Sequence, residues 1–193
     1  MIFFNRSKLY TDGTLTADDE GLHGMVEKCG QKQLATGSHT LYLEGFQAGG
    51  GVGMELKYFG PDTGGKSMFV RGGALPSSSQ GGGRYYSQCD PNSDESDPSQ
   101  FNLCVFRSEV PLGQIPTIGL ADTGLNRLYF VGKGKLPVVD IRSLDQFRMS
   151  VSGTPEFHYA WAIYGKLQVG TAGAYTLCIA SDDGLLPLLS SAS

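Results

Sequence analysis

Two short stretches of the chain have residue types and spacing that could do chemistry. The first is Ser181-Asp182-Asp183-Gly184, a pair of adjacent carboxylates at the end of the apolar run YTLCIA. Adjacent carboxylates are hard oxygen donors of the kind calcium prefers. Calcium takes six to eight oxygens, so such a pair needs ligands from neighbouring loops. The bland alternative is a turn in which the aspartates bond backbone amides and Gly184 takes a positive φ. The second stretch is GPDTGGKS, Gly60 to Ser67, a formal match to the phosphate loop G-x-x-x-x-G-K-[ST]. That chemistry needs a helix beginning at the lysine, whose first amides meet the phosphates. Lys66 and Ser67 lead instead into MFVRGG, where Met68 to Val70 read as extended and Gly72-Gly73 would stop a helix. The acidic strand needed for magnesium would have to be LPVVD, Leu136 to Asp140, and Pro137 argues against it. Nucleotide binding is therefore not expected.

Other chemistry is thinner. The acidic run Asp90 to Asp97 departs from a calcium-binding EF-hand loop, with Glu95 where glycine is needed and Phe101 where glutamate is needed. It reads as a solvated loop. His23, His39 and His158 lie in separate segments, and neither G-x-S-x-G nor H-E-x-x-H occurs. The reading is a protein that is not an enzyme. The four cysteines, Cys29, Cys89, Cys104 and Cys178, include no C-x-x-C pair. Cys89 and Cys104 bracket the acidic loop. A bridge there would be worth about 3 kcal/mol in the chain-entropy model and would require an oxidising compartment; two free thiols are the alternative. Cys178, inside a strand pattern, is expected to behave as a small hydrophobe. Asn5-Arg6-Ser7 is a glycosylation sequon.

Elements with little helix must position these groups. The chain has 193 residues, 40% hydrophobic and 18% charged, enough for one domain with a core or two small ones. Its 28 glycines, without a collagen period, imply many tight turns between short strands. VGMELKYF, Val52 to Phe59, alternates cleanly, with Val52, Met54, Leu56 and Tyr58 on one side and Glu55 and Lys57 on the other. TLYLEGF, Thr40 to Phe46, reads as a strand joined to it through a glycine-rich hairpin. Leu22 to Glu27 and Gln31 to Ala35 are shorter strand candidates, and GLNRLYFV and FRMSV are others. WAIYGKLQVGTAGAYTLCIAS reads as two strands joined as a hairpin at residues 170–173. From about Gly72 to Thr117 serine, glycine, proline and like charge dominate, and the segment reads as a linker or long excursion. No convincing helix is visible. The expectation is an all-β fold, an antiparallel sandwich or barrel.

A net charge of −4 and the lack of a basic, aromatic-interleaved stripe argue against nucleic acid as a partner. No apolar run approaches the roughly 18 residues of a membrane span, so no membrane insertion is expected. MIFFNR is too short and reaches charge too soon for a signal peptide. That leaves a cytosolic chain or one lacking its true start.

GKLQVGTAGAYTLCIASDDG resembles the central motif of the protective-antigen-type domain, a β-sandwich module of surface proteins, adhesins and some glycosidases. Gly165, Leu167 and Val169 match the family's first strand of that motif. Gly173, Tyr175, Thr176 and Ser181 to Gly184 match the second. The family's continuation is missing after Gly184, but Ser7 to Gly13 (SKLYTDG), ADDEGLHG and the stretch QLATGSHTLYLEGFQAGGGVGMELKYFGPD look like it. The resemblance covers roughly residues 7–71 and 120–184, in swapped order. It implies residues 1–71 as the second half of such a domain, 72–117 as a linker and 118–193 as the first half. A slice of a tandem array with neighbouring domains of the same type, a circular permutant and a misassigned chain would each give this order, and the slice or the misassigned chain is expected ahead of the permutant.

In lectin-like members of the family the paired aspartates ligate calcium and are joined by a cis peptide. The resemblance carries this role to Asp182 and Asp183. Asp18, Asp19 and Glu20 lie in the family's matching half and could complete the shell, and Asp19 and His23 join the ligand-binding set. It also implies an extracellular or secreted module that recognises glycans or cell-surface proteins. The alternative is a ligand-free structural or interaction domain of a larger secreted protein or enzyme.

Overall fold

The computed structural model describes residues 6–20, 23–47, 50–71, 100–108 and 128–182. The strands are β1 (Arg6–Thr11), β2 (Thr14–Glu20), β3 (Val26–Leu34), β4 (Gly37–Gln47), β5 (Gly53–Phe59), β6 (Met68–Phe69), β7 (Phe101–Ser108), β8 (Leu128–Leu136), β9 (Asp140–Ile141), β10 (Tyr159–Val169) and β11 (Gly173–Asp182). They form two antiparallel sheets. The larger runs β2-β1-β4-β10-β7-β8, and the smaller runs β3-β11-β5-β6 with β9 also on β5. The fold is an all-β sandwich, as its sequence leads one to expect.

The core lies between the sheets. Alternation sends Leu41, Leu43, Leu103, Val105, Trp161 and Ile163 inward from the large sheet, to meet Met54, Leu56, Leu177 and Ile179 from the small one. β5 obeys the pattern read from its sequence, with Met54 and Leu56 buried and Glu55 and Lys57 facing out. Both sheets mix strands from residues 6–69 and 101–182: β10 pairs with β4 along its whole length, and β11 lies between β3 and β5.

Several expectations are corrected. The segment 72–117 is not wholly a linker, because β7 is an interior strand of the large sheet with its residues 101–106 all buried. Its alternate residues Phe101, Leu103 and Val105 fill the core, and Gly165 on β10 has no side chain because the Phe101 ring occupies that space. FRMSV is not a strand. Its first four residues close a short helix, α1 (Leu144–Ser150), whose first turn is capped by the Ser143 hydroxyl accepting from the Gln146 amide, 3.4 Å. Phe147 anchors α1 in the core. The two glycine-rich connections are not hairpins. β4 and β10 belong to the large sheet and β5 and β11 to the small one, so each connection crosses the sandwich. The true two-residue hairpin joins β1 to β2 at Asp12-Gly13, both at positive φ (48° and 72°), the geometry of a type I′ turn.

Cys178 is not an isolated hydrophobe. It is bonded to Cys29, directly opposite it on β3, with 4.0 Å between the Cα atoms. Cys104 is disulfide-bonded as well, and no described cysteine is free. Cys89, its expected partner, lies outside the described residues.

The phosphate-loop look-alike has a structural role. Pro61–Thr63 form one 3-10 turn, and Gly64 and Gly65, both at positive φ, lead into β6 rather than into a helix. Asp62 Oδ2 accepts from the Gly170 amide at 3.0 Å, and a Cβ on Gly173 would meet the Pro61 ring. The turn therefore props the β10–β11 crossing.

Candidate functional site

The expected site residues fall around the end of β11. β1 and β2 pair so that Ser7 stands opposite Asp19, both inside the sandwich. β11 brings Ser181 to the same place from the other sheet. Ser181 Oγ lies 2.8 Å from Ser7 Oγ and donates to Asp19 Oδ2 at 3.3 Å, so two hydrogen bonds link the sheets. The Asp19 side chain is fully buried. His23, one loop later, brings its Nε2 to 2.9 Å from Asp19 Oδ1 as an ion pair, and its Nδ1 lies 2.9 Å from the Gly24 carbonyl.

Burial pushes the Asp19 carboxyl above its usual range, partly offset by the His23 charge, the Ser181 bond and the Lys28 charge. Both imidazole nitrogens face oxygen acceptors, Gly24 O and Asp19 Oδ1. The Asp19 contact is therefore electrostatic and attracts when the ring is protonated. The His23 ring is not placed to take a proton from Ser181. The carboxylate, not the imidazole, stands next to Ser181, and both ring nitrogens are already directed elsewhere.

Asp182 follows Ser181 on β11, and the pleat sends it to the other side of the sheet. Its carboxylate fills the place where a side chain on Gly51 would stand, in the connection between β4 and β5. That connection is drawn in further by the Gln47 side-chain amide, which donates to the Gly51 carbonyl at 2.6 Å. Asp183 lies outside the described residues, so its peptide bond to Asp182 does too. Asp18 pairs with Lys8 in the β1–β2 register and points away from Asp19, and only the backbone of Glu20 is described. The structure thus joins Asp19 to His23 and ties both to the residue before Asp182. Asp182 itself turns to a separate surface beside Gly51.

Asp19 fits poorly as a calcium ligand, since its side chain is fully buried and its Oδ2 accepts from Ser181. Among the described residues one group of three ligating side chains lies close together, Glu27, Cys29 and Cys178, and two of these form the disulfide.

His39 proves structural. Its Nδ1 lies 2.7 Å from Asp12 Oδ2 and its Nε2 2.8 Å from the Ala35 carbonyl, while the Thr40 amide donates to Asp12 Oδ1 at 2.9 Å. Burial works to raise the Asp12 carboxyl, but the His39 and Thr40 bonds outweigh it and hold it low. Sequence reasoning missed Ser7 and Ser181 as partners, because two serines 174 residues apart carry no local signal. No helix among the described residues is long and apolar enough to cross a membrane. No protein-family model matches the chain, and neither a curated protein nor a solved structure does.

Proposed function

We propose that the chain is an extracellular recognition module of the protective-antigen type that binds carbohydrate with the help of calcium at Asp182 and Asp183. One observation carries this reading: the Asp182 carboxylate ends β11 beside the side-chain-free Gly51, in the connection the Gln47 amide holds in place. A partly exposed carboxylate next to open backbone is the kind of oxygen-rich corner a calcium ion can bridge to vicinal sugar hydroxyls. The cross-strand disulfide fits an oxidising compartment.

A second reading has its own support. Asp19, Ser181 and Ser7 form an internal bridge between the sheets that needs no ligand, which favours a structural or interaction domain.

Thermal melts with calcium and with chelator separate the two. Under the first reading, calcium at about 100 times its Kd raises stability by about 2.7 kcal/mol. Asp182→Asn/Asp183→Asn removes that gain, and glycan-array binding vanishes on chelation. Identical melts in calcium and chelator would end the calcium reading. A blank array would leave the structural domain.

A further inference from the structure

The middle of the outer face of the large sheet, along β7 and β10, is buried, yet no described strand or helix lies over it. Alternation sends Tyr10, Tyr42, Tyr164 and Asn102 to this face in one row across β1, β4, β10 and β7, with Lys135 of β8 completing it. The tyrosine rings follow one another in tilted contact, with centroids 5.6 and 4.9 Å apart. A parallel row holds Phe46, Ala160, Phe106 and Phe130. On this face Tyr164 is 3% exposed, Phe106 2%, Cys104 1% and Lys166 1%. Lateral neighbours in one sheet cannot bring a tyrosine in its outer row that low; a face left to water keeps its large side chains partly exposed. The helix α1 does not supply the cover. It packs on the inner side of β8, where side chains on Gly132 and Gly134 would meet Val151 and Ser150.

Cys104 lies in the middle of this face, opposite Ala162 and Lys133, and it is disulfide-bonded. Cys29 and Cys178 use each other. Of the four cysteines only Cys89 remains. The surrounding segment is chemically suited to the face. Tyr85 and Tyr86 precede Cys89, and the acidic run Asp90 to Asp97 follows it. The face offers a tyrosine row and the lysines Lys8, Lys133, Lys135 and Lys166, against two acids, Asp18 opposite Lys8 and Glu44, which accepts from the Tyr42 hydroxyl.

We propose that the outer face of the large sheet is the docking surface for the chain's own segment 72–99, fastened there by a Cys89–Cys104 disulfide. The fold then has a third layer, covalently held, over the tyrosine row. The recognition site at Asp182 belongs to the other sheet, so this proposal stands apart from it.

Peptide mapping of the full chain without reduction tests the bond, and nitration of tyrosines by tetranitromethane tests the cover. The expected results are a linked peptide pair containing Cys89 and Cys104, and a Tyr164 that resists nitration. A variant in which residues 74–98 become a glycine-serine linker of equal length, with Cys104→Ser, should nitrate Tyr164 at least tenfold faster. A free Cys89 thiol, or Cys89 linked elsewhere, overturns the proposal on the natural chain, whether or not the variant folds. Unchanged protection of Tyr164 in a folded variant also overturns it. In that case protection that rises with protein concentration would assign the face to a second copy, and protection independent of concentration to residues 109–127.

Discussion

At the scale of single residues, the buried Asp19 carboxylate has the most to lose. Two kinds of cost compete there. Burial makes its charge expensive, and removing it takes an acceptor from Ser181 and the facing carboxylate from His23. Asp19→Ala should therefore destabilise by about 1–3 kcal/mol, the cost of unsatisfied buried polar groups. Asp19→Asn keeps an acceptor for Ser181 and drops the buried charge. The native carboxyl is raised above its unfolded value of 3.8. Its contribution is thus fully present below that pH and is lost as pH rises through the folded value. The asparagine variant lacks this loss, so its stability relative to the natural protein should climb with pH from about 4 upward. Urea melts of the three proteins from pH 3.5 to 7 check this; a pH-independent difference would mean the Asp19 charge is fully compensated by His23. The resemblance drew Asp19, His23 and Asp182 into one site. The structure shows why residue types alone could not: neighbours on a strand, such as Ser181 and Asp182 or Asp18 and Asp19, face opposite sides, and only pairing in space decides which side is inside.

At the scale of elements, the sandwich is tightest where β2 meets β3. Gly30 on β3 lies so close to β2 that a Cβ would collide with the Thr16 carbonyl, a backbone group that cannot swing away. Gly30→Ala should force the two strands apart and cost about 3 kcal/mol, at the upper end for overpacking. Thermal melting of the variant checks it, and a loss below about 1 kcal/mol would mean the closure of the sandwich is looser than drawn. The same closeness explains which elements could be read in the sequence. β5 was legible because its outward residues are charged and alternate with apolar ones. β7 was not, since eight apolar-rich residues are swamped by the serine, proline and acid around them. α1 spans under two turns, too short for a helical period to show, although its Ser143 cap was there to be read. The β4–β5 and β10–β11 connections carry the same glycine signal whether the chain turns back beside itself or crosses to the other sheet. That choice is made by the inner faces of both sheets, which no local window contains. The Cys29–Cys178 pair was hidden for the same reason, while Cys89 and Cys104, bracketing one loop, invited attention.

At the scale of the whole molecule, the two ends of the chain depend on each other. β4 has β10 as its long partner on one side, and β11 is the strand to which both β3 and β5 are bonded. Without β10 and β11, residues 6–69 would keep the β1–β2 and β1–β4 pairs but lose the centre of both sheets. Without β4 and β5, the later strands would expose the apolar faces of Ile163, Leu167, Leu177 and Ile179. Short sheets with one open face are marginal in water. Fragments 1–78 and 79–193, made separately, should each lack a cooperative melt. Refolded together under oxidising conditions, they should regain one and become linked through Cys29 and Cys178. In the intact chain that disulfide joins residues 149 apart, and closing so long a loop is worth about 5 kcal/mol in the chain-entropy model. Cys29→Ser/Cys178→Ser should therefore lose several kcal/mol of stability in urea, more than removal of a bridge across a short loop. The mixed fragments give the sharper test, because linkage there raises the local concentration of one half for the other. Cooperative melting by either fragment alone would show two independent units and undo the shared-sheet architecture. Cooperative melting only after mixing, weakened again by reduction, is what strands interleaved from both ends of the chain require.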